Sequence, residues 1–190
     1  PNFNENLRHF KMKRYIICSL LFLTTFVFAQ NKMNTRKGKI VFEASIPSFE
    51  EIRATNENVS CVLITKTGEL SSVALIKNFR FKLSLMEEHF NTNYMESNDY
   101  PKATFKGYIQ GFNLNIIGTS SKKFELNGEL EIRGKTKPIH TDAFLRKIDD
   151  RLEIIAEFKI NTDDFNIVIP EIINSKISKT VTVYTEFLVK

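Results

Sequence analysis

A few short stretches of this chain hold side chains that could do chemistry. Glu87-Glu88-His89 sets two carboxylates beside an imidazole, the material of a zinc site or of a general acid–base pair. A zinc-binding helix needs a second histidine one turn on, and none follows His89. An enzyme built on His89 with Glu87 or Glu88 would also need a nucleophile or a further metal ligand, and neither accompanies them. The pattern reads as the polar side of a helix. His140 stands between Ile139 and Thr141 in an alternating segment, which sends it to the polar face of a strand. Asp163-Asp164 near Asn161 offers oxygen ligands for Ca²⁺ without the Gly and Glu spacing of a calcium loop, and reads as a solvated turn. Asn58-Val59-Ser60 is a glycosylation triplet of a kind common by chance. No Gly-x-Ser-x-Gly elbow, phosphate-cradling loop or Cys-x-x-Cys occurs.

The 190 residues carry a formal charge of +5. Much of that excess lies near the start. Met12-Lys13-Arg14, the apolar run 15–28 and Val27-Phe28-Ala29-Gln30 have the order of a secretory signal peptide: a basic region, an apolar core and a cleavage site. The expectation is a leader over residues 12–29, cut near Ala29/Gln30, with residues 1–11 an upstream artefact and a soluble periplasmic or secreted product. The run is short for a membrane span, which needs roughly 20 apolar residues. Without residues 1–29, 23 basic and 21 acidic residues remain, a charge of +2. That leaves no electrostatic footprint for nucleic acid. Cys18 falls early in the apolar run rather than at its end, so it is not placed as a lipoprotein cysteine. Cys61 is then a single thiol that can form no internal disulfide and reads as a small packed residue on a strand. About 160 residues suffice for one well-cored domain.

The elements that must position these groups are mostly strands. Ile40, Phe42, Ala44 and Ile46 alternate with polar neighbours up to Pro47, after a polar lead-in at 30–37 expected to fray. Segments 59–65 and 70–77 form a hairpin about Lys66-Thr67-Gly68-Glu69. Further strands are expected over 104–109, 114–117, 123–133, 139–148, 152–160 and 179–189. The turns between them include Gly134-Lys135-Thr136-Lys137-Pro138, and a long connection covers 161–178. In 123–133 one face is apolar and the other charged, as in a sheet with one wet side. The period changes only in 78–107. There Leu83, Met86 and Phe90 fall at helical offsets, with Leu85 and His89 one step round, before Asp99-Tyr100-Pro101 ends the helix. The fold class is therefore all-β, an antiparallel barrel or sandwich of about eight strands with one short helical segment covering an end or a face.

Twelve phenylalanines follow the leader and no tryptophan occurs. Such a set can simply fill a barrel, or can line one that holds a single apolar ligand, and strand periodicity does not separate the two.

Specific residues then supply a resemblance. Phe79-x-Phe81, Leu85-Met86-x-x-His89-Phe90, Tyr100-Pro101-x-x-x-Phe105, Gly128-x-Leu130-x-Ile132-x-Gly134-x-Thr136-Lys137-Pro138, Asp164-Phe165 and Val181-x-Val183 with Phe187 occur in order across residues 38–190. Together they resemble the YceI-like family of exported lipid- or polyisoprenoid-binding proteins, in a form similar to Bacteroidetes-type members. The resemblance implies an extended lipocalin-like antiparallel β-barrel whose channel holds an isoprenoid or other lipid tail, without catalysis and without a cofactor. Many members open on Asp-x-x-His-Ser, where this chain has Gly38-Lys39-Ile40-Val41-Phe42-Glu43, so its channel entrance is expected to differ. On inward parity the candidate wall residues are Phe42, Leu75, Phe105, Phe124, Leu126, Leu130, Ile154, Phe158, Val183 and Phe187. Phe79, Phe81, Met86 and Phe90 are expected to line or cover one end. The partner implied is an apolar lipid or isoprenoid, with no nucleic acid and no membrane insertion once the leader is cut; a dimer and a monomer both stay open. The rival function is a filled barrel that acts through its surface as a stress-related or envelope interaction module.

Overall fold

In the computed structural model, which describes residues 32–190, the alternating segments pair into one antiparallel sheet that closes on itself. The strands are β1 (Lys32–Ser45), β2 (Arg53–Ile64), β3 (Glu69–Leu75), β4 (Arg80–Phe81), β5 (Lys102–Ile109), β6 (Lys122–Ile132), β7 (Lys135–Ile148), β8 (Arg151–Asn161) and β9 (Ile177–Val189). Their lateral order is β1-β9-β8-β7-β6-β5-β3-β2, and β1 pairs with β2 to shut the ring, so eight strands form the barrel. β4 is a two-residue strand that pairs with Ala54 and Thr55 of β2. Closure satisfies the backbone of every long strand and leaves no free edge.

Strand direction alternates around the ring, so the connections divide between two ends. Segments 46–52, 76–101, 133–134 and 162–176 lie at one end; 65–68, 110–121 and 149–150 lie at the other. The second end is plugged. Ile109, Ile117, Phe124, Leu145, Leu152 and Val189 are buried there in the main core cluster, and Lys147 N–H donates to the Gly118 carbonyl at 2.7 Å. Sequence reading expects a strand over 114–117. The structure has a 3-10 turn, Leu114–Ile116, begun by Asn113, whose side chain accepts from the Asn115 N–H. Four residues with an Asx cap favour the turn, whose carbonyl and amide needs are met locally.

Two other expectations change. Residues 32–37 belong to β1 rather than to a frayed end: Lys32 to Thr35 pair with Ile64 to Cys61, and Asn34 exchanges hydrogen bonds with Lys190 at 2.8 and 3.1 Å. The turn expected over 134–138 is a tight two-residue hairpin at Arg133-Gly134, both at positive φ (48° and 67°), and Pro138 lies within β7 opposite Glu129. Positive φ at both centres matches the right-handed twist of the flanking strands.

Cys61 is fully buried on β2, and burial pushes its thiol up to about 12 from 9.0. The native thiol should therefore resist alkylation at pH 8 and react only as the barrel unfolds, a contrast that iodoacetamide labelling with and without denaturant checks. Ionisation favours the unfolded chain, so this group's stabilising contribution is complete below pH 9.0 and is lost as pH rises towards 12.

Candidate functional site

The inner face is apolar without being full. On β3 the inward residues are Leu70, Ser72 and Ala74; Ala44, Ala103 and Ala156 stand at inward positions of β1, β5 and β8. Small side chains at these positions leave a cavity of about 370 Å³ inside the barrel. That volume lies in the range of small-molecule sites, roughly 300–1,000 Å³. Among the described residues no Asp, Glu, Lys or Arg lines it. The lining side chains with oxygen or nitrogen, among the described residues, are those of Ser72, His89, Tyr94, Thr104, Thr162, Ser178 and Thr185. Burial raises the Tyr94 hydroxyl above its ordinary pKa, which keeps it neutral. A lining of this kind can desolvate an apolar molecule.

The structure gathers most of the sequence-predicted residues around this space. Phe42, Phe79, Phe81, Met86, Phe90, Phe105, Leu126, Leu130, Ile154, Phe158, Val183 and Phe187 all line it. Two do not. Leu75 points outward at 49% exposure, since its neighbours Ala74 and Ile76 take the inner face. Parity carried across the 65–68 turn favours the larger Leu75, whereas the barrel uses the smaller Ser72 and Ala74. Phe124 is inward but sits in the packed, plugged end, outside the cavity wall.

The helical interruption forms one side of the open end. α1 (Ser84–His89) runs into a π-helical turn, Phe90–Tyr94, closed by Met95 N–H donating to the Phe90 carbonyl at 2.9 Å. An eleven-residue helix this short does not hold itself in water, so packing must fix it. Phe90 does so by entering a cluster with Phe42, Phe79 and Phe81, at ring-centroid distances of 5.3, 5.8 and 5.1 Å. Glu87 anchors the first turn, reaching Arg80 at 2.8 Å and accepting from the Phe81 N–H at 3.3 Å. This carboxylate is thus a structural brace. His89 is largely exposed at the edge of the cavity. His140 is exposed on the outer face opposite Asn127. Asp163 and Asp164 pair with Lys179 and Lys137 at 2.9 and 3.4 Å, and Asn161 caps their turn. Among the described residues no three His, Cys, Asp or Glu side chains converge as a metal site would require.

Sequence reading misses the opposite side of the mouth. Ile167, Ile169 and Ile173, from the connection read as a plain loop, line the cavity, as do Tyr94 and Met95. The period-two spacing of Ile167 and Ile169 is the signal that could have found the first two. Arg133 is also missed. From the β6–β7 hairpin it reaches Glu96 at 2.7 Å, stacks on Tyr100 at 5.7 Å and donates to the Asn166 carbonyl, tying the helical segment to the 162–176 connection. Arg133→Ala removes all three contacts. We expect it to cost about 1.5–3 kcal/mol, the range for hydrogen bonds to charged groups. Amide exchange should accelerate in 76–101 and 162–176 and stay slow in the barrel strands, as hydrogen-exchange mass spectrometry would show.

An up-and-down barrel closed at one end around an apolar cavity defines the class. The chain belongs to the YceI-like domain family, whose model matches residues 27–188. The fold is similar to a polyisoprenoid binding domain from Saccharophagus degradans implicated in plant cell wall breakdown, with a TM-score of 0.72 at 14% identity over 84% of this chain and 98% of that one. It is also similar to Burkholderia cenocepacia BcnA, with a TM-score of 0.66 at 16% identity over 81% and 96%. The Campylobacter jejuni YceI protein gives a TM-score of 0.57 at 19% identity over 76% and 89%. No curated protein matches the chain by sequence.

Proposed function

We propose that this protein binds one extended apolar molecule, a polyisoprenoid or similar lipid, in the barrel interior and carries it without chemical change. The carrying observation is the cavity of about 370 Å³, walled mostly by aliphatic and aromatic side chains, with no Asp, Glu, Lys or Arg among the described lining residues. Burial of apolar ligand surface would supply the affinity at about 25 cal/mol per Å². Membership in the YceI-like family, and the polyisoprenoid binding described for the Saccharophagus degradans domain, support the ligand class. The proposed setting is the periplasm or the exterior, reached after cleavage near Ala29/Gln30. The Bacteroidetes-type likeness rests on the motif set alone.

Native mass spectrometry and lipid extraction of protein purified from its own host test the reading. The expected result is a co-purifying lipid of defined mass. Added isoprenoid alcohol at 100 times its Kd should also stabilise the fold by about 2.7 kcal/mol, a rise of several degrees in Tm. A protein that carries no lipid and whose Tm ignores isoprenoids would overturn it, in favour of the surface-acting module.

A further inference from the structure

The outer side of β6 and the outer side of the mouth differ in character. Along β6 the outward residues are Lys123, Glu125, Asn127, Glu129 and Glu131, a wet surface. At the mouth, segments that present apolar side chains to the cavity present apolar side chains to solvent as well. Ile167 and Ile169 face in while Val168 between them faces out; Ile173 faces in and Ile172 out; Met86 faces in and Leu85 out. Ile172, Val168 and Leu85, at 86%, 75% and 61%, are the three most exposed large apolar side chains among the described residues. Phe49 of 46–52, also exposed, lies at this same end by strand direction. Exposed apolar side chains scattered singly need no explanation, but a set on three connections around the opening of an apolar cavity marks a contact surface.

We propose that the mouth docks on the apolar–polar boundary of a zwitterionic lipid bilayer, where Leu85, Val168 and Ile172 insert and the ligand enters without crossing water. The inference rests on the lipid-carrying reading above. Two features of the mouth select this occupant. Its rim carries cavity-lining residues that also reach the surface, exposed His89 and half-buried Ile173, so a lipid phase meeting the rim is continuous with the binding space. Its charge disfavours both a second copy and an anionic surface. The four connections at this end carry nine acidic side chains, Glu50 and Glu171 beside the apolar tips among them, against five basic ones. Mouth-to-mouth pairing would bring like charge together, and an anionic membrane would repel the rim. A zwitterionic interface meets the apolar tips without that penalty.

Flotation of the purified full chain with phosphatidylcholine vesicles tests the contact, paired with uptake of a fluorescent isoprenoid from those vesicles and, separately, from ethanol. The expected result is co-flotation that weakens when phosphatidylglycerol is added at low salt and recovers at high salt. L85D, V168D and I172D, none of which touches the cavity, should each reduce flotation and vesicle uptake about tenfold while leaving ethanol-delivered binding unchanged. I172S provides a check free of added charge and should lower both by a smaller factor in the same direction. A chain that binds isoprenoid from ethanol yet never floats, or whose vesicle uptake ignores all four variants, overturns the docking. So does a rim-dependent dimer in sedimentation. Flotation with no isoprenoid bound by either route would instead sink the ligand reading and leave the docking in place.

Discussion

Ala74→Phe combined with Ala156→Phe should abolish isoprenoid binding, by about a hundredfold or more, while the barrel still folds cooperatively. β3 and β8 stand four places apart in the ring of eight strands, so these residues face the cavity from opposite walls. Both are almost fully buried, at 3% and 2% exposure, and their methyl groups border empty space. In a filled core such enlargements force neighbours off their rotamers at a cost of typically 1–3 kcal/mol. Here each ring gains buried apolar contact that offsets the strain, so the expected change in stability is within about 1.5 kcal/mol. Isothermal titration with an isoprenoid alcohol, beside a thermal melt, reads both quantities. A doubly substituted barrel that binds as well as the parent would mean that the ligand lies elsewhere, and one that fails to fold is distinguished by the single Ala156→Phe variant.

The same two alanines show why the hollow interior was hard to read in advance. Alternation places residues on a face, and for β6, β8 and β9 it does so cleanly: Leu126, Leu130, Ile154, Phe158, Val183 and Phe187 all reach the cavity. Hollowness depends on what the face lacks, namely the bulk missing at Ala44, Ser72, Ala74, Ala103 and Ala156. A preference for large apolar residues therefore runs against the signal, and it misplaced Leu75. In the aromatic clasp Phe42, Phe79 and Phe81 were legible from alternation, and Phe90 because one segment alone broke the period of two. Its partner across the mouth was not, because Ile167 and Ile169 lie on irregular backbone and Ile173 on a single 3-10 turn, either side of Pro170. There the inward direction is set by tertiary contact, Phe165 being buried against Met95 and Ile139 in one cluster. Arg133 was hidden for another reason: a charged residue in a hairpin reads as solvated until both mouth segments fold over it. The resemblance to the family supplied the order of these motifs but not the direction in which each side chain points.

Gly128→Ala should be among the most damaging single methyls in the barrel, and it tests how the wall is built. Gly128 on β6 lies directly opposite Gly107 on β5. A Cβ on Gly128 would come within 2.5 Å of the Lys106 carbonyl oxygen, 2.6 Å of the Gly107 Cα and 2.6 Å of the Phe105 ring. Glycine inside a strand commonly marks such a close approach. The ring of Phe105 covers the glycine pair, replaces the packing that two side chains would have given, and still reaches the cavity. Overpacking of this kind costs about 3 kcal/mol, the upper end of the usual range, because two of the three contacts are with backbone that cannot rotate away. Chemical denaturation would show that loss. Phe105→Ala is expected to cost about 3 kcal/mol by itself, through lost burial over the glycines. The double variant decides the mechanism. If the clash were with the ring alone, Phe105→Ala would rescue Gly128→Ala. Because the Lys106 carbonyl and the Gly107 Cα remain in place, the double variant should stay less stable than Phe105→Ala alone by 1 kcal/mol or more, about the smallest loss expected from overpacking. Full rescue would show that the two strands can part to admit the methyl, and that the tight β5–β6 contact is not what sets the cavity wall.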